Sequence, residues 1–118
     1  MTQHNPAVSL RQMLKSAHEA VAMVEGRARA DLDTDRQLEL SLIRLTEIIG
    51  EAANRLPPSL QQANPEIPWF LMISMRNRLI HGYDTIDLDA LWDTVTDDLP
   101  PLIAQLERLL DAGAGPSK

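Results

Sequence analysis

Residues 38–56 read LELSLIRLTEIIGEAANRL, and in them Leu38, Leu42, Leu45, Ile49, Ala52 and Leu56 recur at alternating steps of four and three. That rhythm draws one continuous apolar stripe down an α-helix and has no counterpart on a strand, whose faces alternate every second residue. Thr34 followed by Gln37 reads as a capping box at the start of this helix. Pro57-Pro58 stops it, because neither proline can donate a helical hydrogen bond. Gly50 interrupts the pattern at about 1 kcal/mol relative to alanine, so its expected use is the close approach of another helix.

The same periodicity extends in both directions. Upstream, Asn5 and Pro6 open a helix expected to reach Arg29, with Leu10, Leu14, Ala17, Val21 and Val24 as its stripe and a polar break at Ala30-Asp31-Leu32-Asp33 after it. Downstream, Asn64-Pro65-Glu66-Ile67-Pro68 leaves room for only a short helical turn. A helix is then expected from Trp69 to His81, with Pro68 in its first turn and Gly82 as its C-terminal cap. A last helical segment starts at Asp87 and carries Leu88, Leu91, Val95, Leu99, Leu102, Leu106 and Leu109, and Pro100-Pro101 must kink or split it. No segment alternates with period two. The expectation is an all-α, four- to five-helix antiparallel bundle forming a single domain over residues 1–111, followed by a disordered Gly/Pro/Ser tail from Ala112 to Lys118.

Composition removes several kinds of chemistry. A length of 118 residues leads one to expect one core and no second domain, and with no cysteine there is no disulfide, zinc–thiolate site or thiol nucleophile in this sequence. No apolar run approaches the ~18 residues of a membrane span, and Met1-Thr2-Gln3-His4-Asn5 is unlike a signal peptide, so a cytoplasmic location is the default. His4, His18 and His81 are scattered without metal-ligand spacing, and no Walker loop, nucleophile elbow or dinucleotide fingerprint occurs, so neither metal nor cofactor is expected. The formal net charge of -6 opposes any general attraction to a polyphosphate. Any contact with a nucleic acid must therefore be local.

Arg76-Asn77-Arg78-Leu79-Ile80-His81-Gly82-Tyr83 supplies that local charge. On an ideal helix Arg76 projects from an apolar arc with Trp69, Met72, Ile73, Leu79 and Ile80, so its guanidinium needs a partner, for which Glu47 and Glu51 are candidates. Asn77 and His81 stand four apart, where the amide can orient the imidazole. Arg76 and His81 fall ~140° apart on the same wheel, so a one-helix active site works only if His81 leaves the helix or a second chain supplies the facing half. An imidazole with an ordinary pKa of about 6.5 beside an arginine suits metal-independent RNA cleavage: the ring takes the 2′-hydroxyl proton and the guanidinium steadies the charge growing on the phosphate. Arg78 is a candidate phosphate contact. Trp69 and Trp92 read as core or interface anchors, and the run from Asp93 to Asp98 as a solvated face.

The R-x-x-x-x-H pattern of Arg76 and His81, its H-x-Y extension to Tyr83, the preceding Ile67-Pro68-Trp69 and the order of helices together resemble the HEPN superfamily, and within it the HepT-like toxins of prokaryotic toxin–antitoxin pairs. The resemblance spans about Leu10 to Leu110. It implies a homodimeric ribonuclease in which Arg76 and His81 of facing chains share one cleft. It also implies that Tyr83 receives AMP groups from a cognate MNT-type nucleotidyltransferase antitoxin. A second reading, a non-catalytic helical partner subunit of a nucleotidyltransferase, draws on the acidic net charge. Apolar residues on more than one face of the motif helix, Phe70 and Met75 among them, are expected to meet a second chain.

Overall fold

Asn5 opens the first helix as the sequence requires: its Oδ1 accepts the Ala7 N–H at 2.9 Å, and Pro6 occupies the first turn, where no N–H is needed. A computed structural model describes residues 5–81 and 85–114, with positions 76, 80, 81, 85, 113 and 114 described by backbone alone. Helix α1 covers Pro6–Val24 and stops short of Arg29, because Gly26 turns into the left-handed region at φ 71°. Its most buried line is Leu10, Met13, Ala17, Ala20 and Val24, and Leu14 and Val21 pack along the edge. The seam is shifted from the expected one because α1 lies between two helices, introduced below as α3 and α8, and buries a broad arc rather than a single stripe.

The expected polar break contains a short helix, α2 (Asp31–Thr34), which buries Leu32. Thr34 is consumed as its last residue, so Asp35 rather than Thr34 caps the next helix, its Oδ1 accepting the Leu38 N–H at 3.0 Å. Arg27 spans this corner, reaching Asp31 at 3.3 Å and Asp35 at 2.8 Å. The Arg27 guanidinium and the Leu38 N–H hold the Asp35 carboxyl below its usual range, and the Ala28 N–H followed by Arg27 does the same for Asp31.

Helix α3 (Arg36–Asn54) buries Leu38, Leu42, Ile49 and Ala52 as its stripe demands, with Leu45 half-buried and Leu56 buried just past its end. It runs antiparallel to α1, since Arg27 meets Asp35 at one end of the pair and Arg55 donates to Gln12 Oε1 at 3.1 Å at the other. Helix α4 (Pro58–Ala63) is the short turn between the proline breaks. Two further short helices, α5 (Trp69–Ile73) and α6 (Met75–Leu79), pack on α3. They lead into a two-residue antiparallel ladder of β1 (Ile80–His81) with β2 (Thr85–Ile86).

The C-terminal leucine segment is split, as its prolines require. Helix α7 (Leu88–Asp93), capped by Asp87, passes into a π-helical turn, Thr94–Asp98, and then into α8 (Leu99–Leu109). Pro100 and Pro101 occupy the first turn of α8 and supply no N–H to the carbonyls behind them. The turn before them widens, so that the Leu99 N–H reaches back to the Thr94 carbonyl. Leu91, Val95, Leu99, Leu102 and Leu106 are fully buried along this line. The chain stays helical through Leu110–Ala114, past Ala112 where the tail was expected to begin; the rest of that tail lies outside the described residues. The architecture is all-α, and no helix among the described residues is long and apolar enough to cross a membrane.

Gly50 has the use its position in α3 suggests. A Cβ built there would stand 2.8 Å from the Met72 carbonyl oxygen, a backbone atom that cannot move without shifting α5. Gly50→Ala should therefore destabilise the fold by about 1–3 kcal/mol despite the gain in helix propensity, lowering the melting temperature by several degrees. Equal or higher stability in urea or thermal denaturation would show that the two helices are not held this closely.

Candidate active site

The motif segment is anchored from its N-terminal side. Trp69 is 6% exposed and its Nε1–H donates to the Asn64 carbonyl at 2.9 Å, fixing the Ile67-Pro68-Trp69 corner in the core. The expected unbroken helix from Trp69 to His81 is not present. Ser74 sits between α5 and α6 near φ -89°, ψ 3°, with its hydroxyl donating to the Phe70 carbonyl at 2.7 Å, a side-chain bond that competes with helical geometry and bends it. Beyond Leu79 the backbone is extended: Ile80 pairs with Ile86 and His81 with Thr85. The Asp87 N–H closes the base of the ladder on the Leu79 carbonyl at 2.6 Å.

This changes the placement of the catalytic candidates. Arg76 lies on α6 and His81 on β1, so the wheel that set them ~140° apart does not apply across the helix-to-strand change. The four-residue relation of Asn77 to His81 lapses for the same reason, and Asn77 is exposed on α6. Ile80, Thr85 and Ile86 are β-branched and favour the extended backbone found at these positions. β-branched residues on either side of the Gly-containing stretch His81-Gly82-Tyr83-Asp84 were the available sequence signal for paired strands. The side chains of Arg76 and His81, and Gly82 and Tyr83 altogether, lie outside the described residues.

Helix α6 packs on α3, on which Glu47 and Glu51 stand one turn apart. These carboxylates stand 3.4 and 3.7 Å from Arg44, and they line a cleft of about 230 Å³ with Thr46, Gly50, Asn54 and Ile73. Of the residues expected to meet a second chain, Met75 is instead buried in this chain's own core at 1% exposure, whereas Phe70 is 81% exposed beside the motif segment. Trp92 packs against the core, as an anchor should.

The acidic run after Trp92 is not uniformly solvated. Thr94 and Val95 are buried, the Thr94 hydroxyl without a partner among the described residues, and the π turn brings Asp98 to 4.0 Å from Nη1 of Arg78. Burial pushes the Asp98 carboxyl above its ordinary value; Arg78 pulls it down, and Asp97 and Asp93 push it up. The sequence carried no direct sign of this pairing, although Pro100-Pro101 marks where the wide turn must fall.

A carboxyl whose folded pKa is raised contributes stability that is present below its unfolded value and lost as pH rises through the folded one. Wild type and Asp98→Asn should thus melt most alike at the acid end, near or below pH 3.8, and the asparagine variant should gain on wild type as pH rises. Wild type gaining on the variant over that range would mean that Arg78, not burial, dominates the carboxylate.

The family model for ribonuclease HepT-like proteins matches residues 13–109. A protein of Thermococcus cleftensis named "Probable ribonuclease HepT" is 37% identical over 105 residues, covering 86% of this chain and 96% of that one. A protein of Caldanaerobacter subterraneus subsp. tengcongensis named a "Putative RNase" is 30% identical over 105 residues, covering 89% and 94%. Another "Putative RNase", from Methanocaldococcus jannaschii, is 29% identical over 107 residues, covering 91% and 98%. No solved structure matches the chain.

Proposed function

The chain belongs to the ribonuclease HepT-like family, and from that premise we propose that it is a metal-independent endoribonuclease, the toxin of a toxin–antitoxin pair, acting as a homodimer in the cytoplasm. The observation that carries the reading is the position of the R-x-x-x-x-H pattern across the junction of α6 and β1, in a family named for ribonuclease activity. His81 accepts the proton of a ribose 2′-hydroxyl, whose oxygen attacks the adjacent phosphorus; the 5′-oxygen leaves and takes a proton, giving a 2′,3′-cyclic phosphate and a 5′-hydroxyl end. Arg76 stabilises the phosphoryl oxygens, Asn77 is an orienting residue and Arg78 a phosphate contact. DNA lacks the attacking hydroxyl and is not a substrate. Phe70, exposed next to this segment, suits the contact with a second chain that completes the cleft.

His81→Ala and Arg76→Ala should each abolish RNA cleavage and toxicity on expression while keeping the helical circular dichroism and the dimer mass in light scattering. Arg76→Lys, which keeps the charge without the planar fork, serves if alanine unfolds the chain. Full toxicity in both variants would end the ribonuclease reading.

Regulation follows the family resemblance. The Tyr83 oxygen attacks the α-phosphorus of ATP in the active site of an MNT-type nucleotidyltransferase, pyrophosphate leaves, and the AMP phosphodiester places a negative charge two residues from His81. Tyr83 is the sole tyrosine of the chain. Intact-mass spectrometry after incubation with the cognate nucleotidyltransferase and ATP should show whole AMP units on wild type and none on Tyr83→Phe. AMP mapped to a serine or threonine would refute the regulatory half alone.

A further inference from the structure

Arg78 stands on the motif helix α6, and among the described residues its one ionic partner is Asp98, at 4.0 Å from the π turn that Pro100-Pro101 impose. The arginine pairs that fasten elements together elsewhere are of a different kind. Arg27 meets Asp35 at 2.8 Å and Arg29 meets Asp89 at 2.5 Å, both hydrogen-bonded pairs that tie the loop between α1 and α2 to the start of another helix. Asp35 is held below its usual pKa by its pair, whereas Asp98 is pushed up by its burial in spite of Arg78. The Asp98 carboxylate is therefore drawn out of water without the short charge-assisted bond that normally repays desolvation. Both side chains keep part of their surface in solvent, 39% for Arg78 and 32% for Asp98, so an anion can reach the gap between them.

We propose that Asp98 is a guard carboxylate: it occupies the phosphate-facing side of Arg78 in the free protein and must be displaced by the RNA backbone before that arginine can bind substrate. This inference rests on the ribonuclease reading above and adds a positioning residue that acts through Arg78. Its consequence is a toxin whose grip on RNA is restrained by its own turn. The wide turn is what allows the restraint, because it sets the carboxylate against α6 while leaving the bond too long to lock. An acidic chain then holds its local positive charge masked until a phosphate competes for it.

Binding of a single-stranded 2′-O-methyl RNA, which cannot be cut for want of a 2′-hydroxyl nucleophile, tests this by fluorescence anisotropy across a salt series. Asp98→Asn should bind about fivefold more tightly than wild type, with a salt slope steeper by about one phosphate contact. Asp97→Asn removes the same charge from the same turn and should change affinity by about twofold or less. In an Arg78→Ala background the effect of Asp98→Asn should disappear. Equal effects from Asp97→Asn and Asp98→Asn, or an undiminished effect without Arg78, would overturn the guard role. If Asp98→Asn leaves binding unchanged while wild type still cleaves unmodified RNA, this inference alone fails. If no variant binds the probe and wild type cleaves nothing, it fails together with the ribonuclease reading.

Discussion

The seat of α5 on α3 at Gly50 is the constraint from which the candidate site is built. With only a hydrogen at that position, the Met72 carbonyl can come within 2.8 Å of where a side chain would begin. Because α5 lies this close, Met72 and Met75 reach the core, and α6, set off by the kink at Ser74, also packs on α3. The ladder of Ile80–His81 with Thr85–Ile86 then grows from the end of α6, tied down by the bond from Asp87 to the Leu79 carbonyl. Each step inherits its position from the one before. A small residue far from the motif thus governs where Arg76 and His81 are presented.

How much of this is legible in the sequence depends on how local the cause is. The helix over Arg36–Asn54 could be read directly, because its stripe repeats over many residues and averages out any single propensity. Asn5, Gly50 and the proline pair were legible for the same reason that they matter: each has one dominant steric or hydrogen-bonding effect. Asp35 taking the cap from Thr34 was not legible, because both residues can cap and the choice is made by Leu32 burying a turn of helix before them. The motif segment was misread as one helix because its apolar spacing fits a helix, while the Ser74 back-bond and the pairing of Ile80 with Ile86 are contacts that a wheel does not contain.

The catalytic reading illustrates the same division. Residue identity and spacing along the chain mark Arg76, His81 and Tyr83 as candidates, and family membership supports ribonuclease activity for the chain as a whole. Geometry contributes a different point: His81 belongs to an extended segment paired with Thr85, so the obstacle of Arg76 and His81 pointing to different sides of one cylinder does not arise. A short ladder at the end of a helix lets two residues close in sequence escape the helical period altogether.

An acidic protein that acts on RNA faces an electrostatic conflict, and the distribution of its charge matters more than the sum. The net charge of -6 repels a polyanion at long range, but screening limits that repulsion to about 8 Å at physiological salt. Inside that distance the nearest groups decide. Arg27 and Arg29 are committed to carboxylates at the corner of α1, α2 and α3 and at the start of α7, and their pairs are short. Arg78 alone among these sits on the motif helix, and its pair is long. Arg78 is thus less firmly committed to its carboxylate than Arg27 and Arg29, whose short pairs maintain the fold that carries the motif helix.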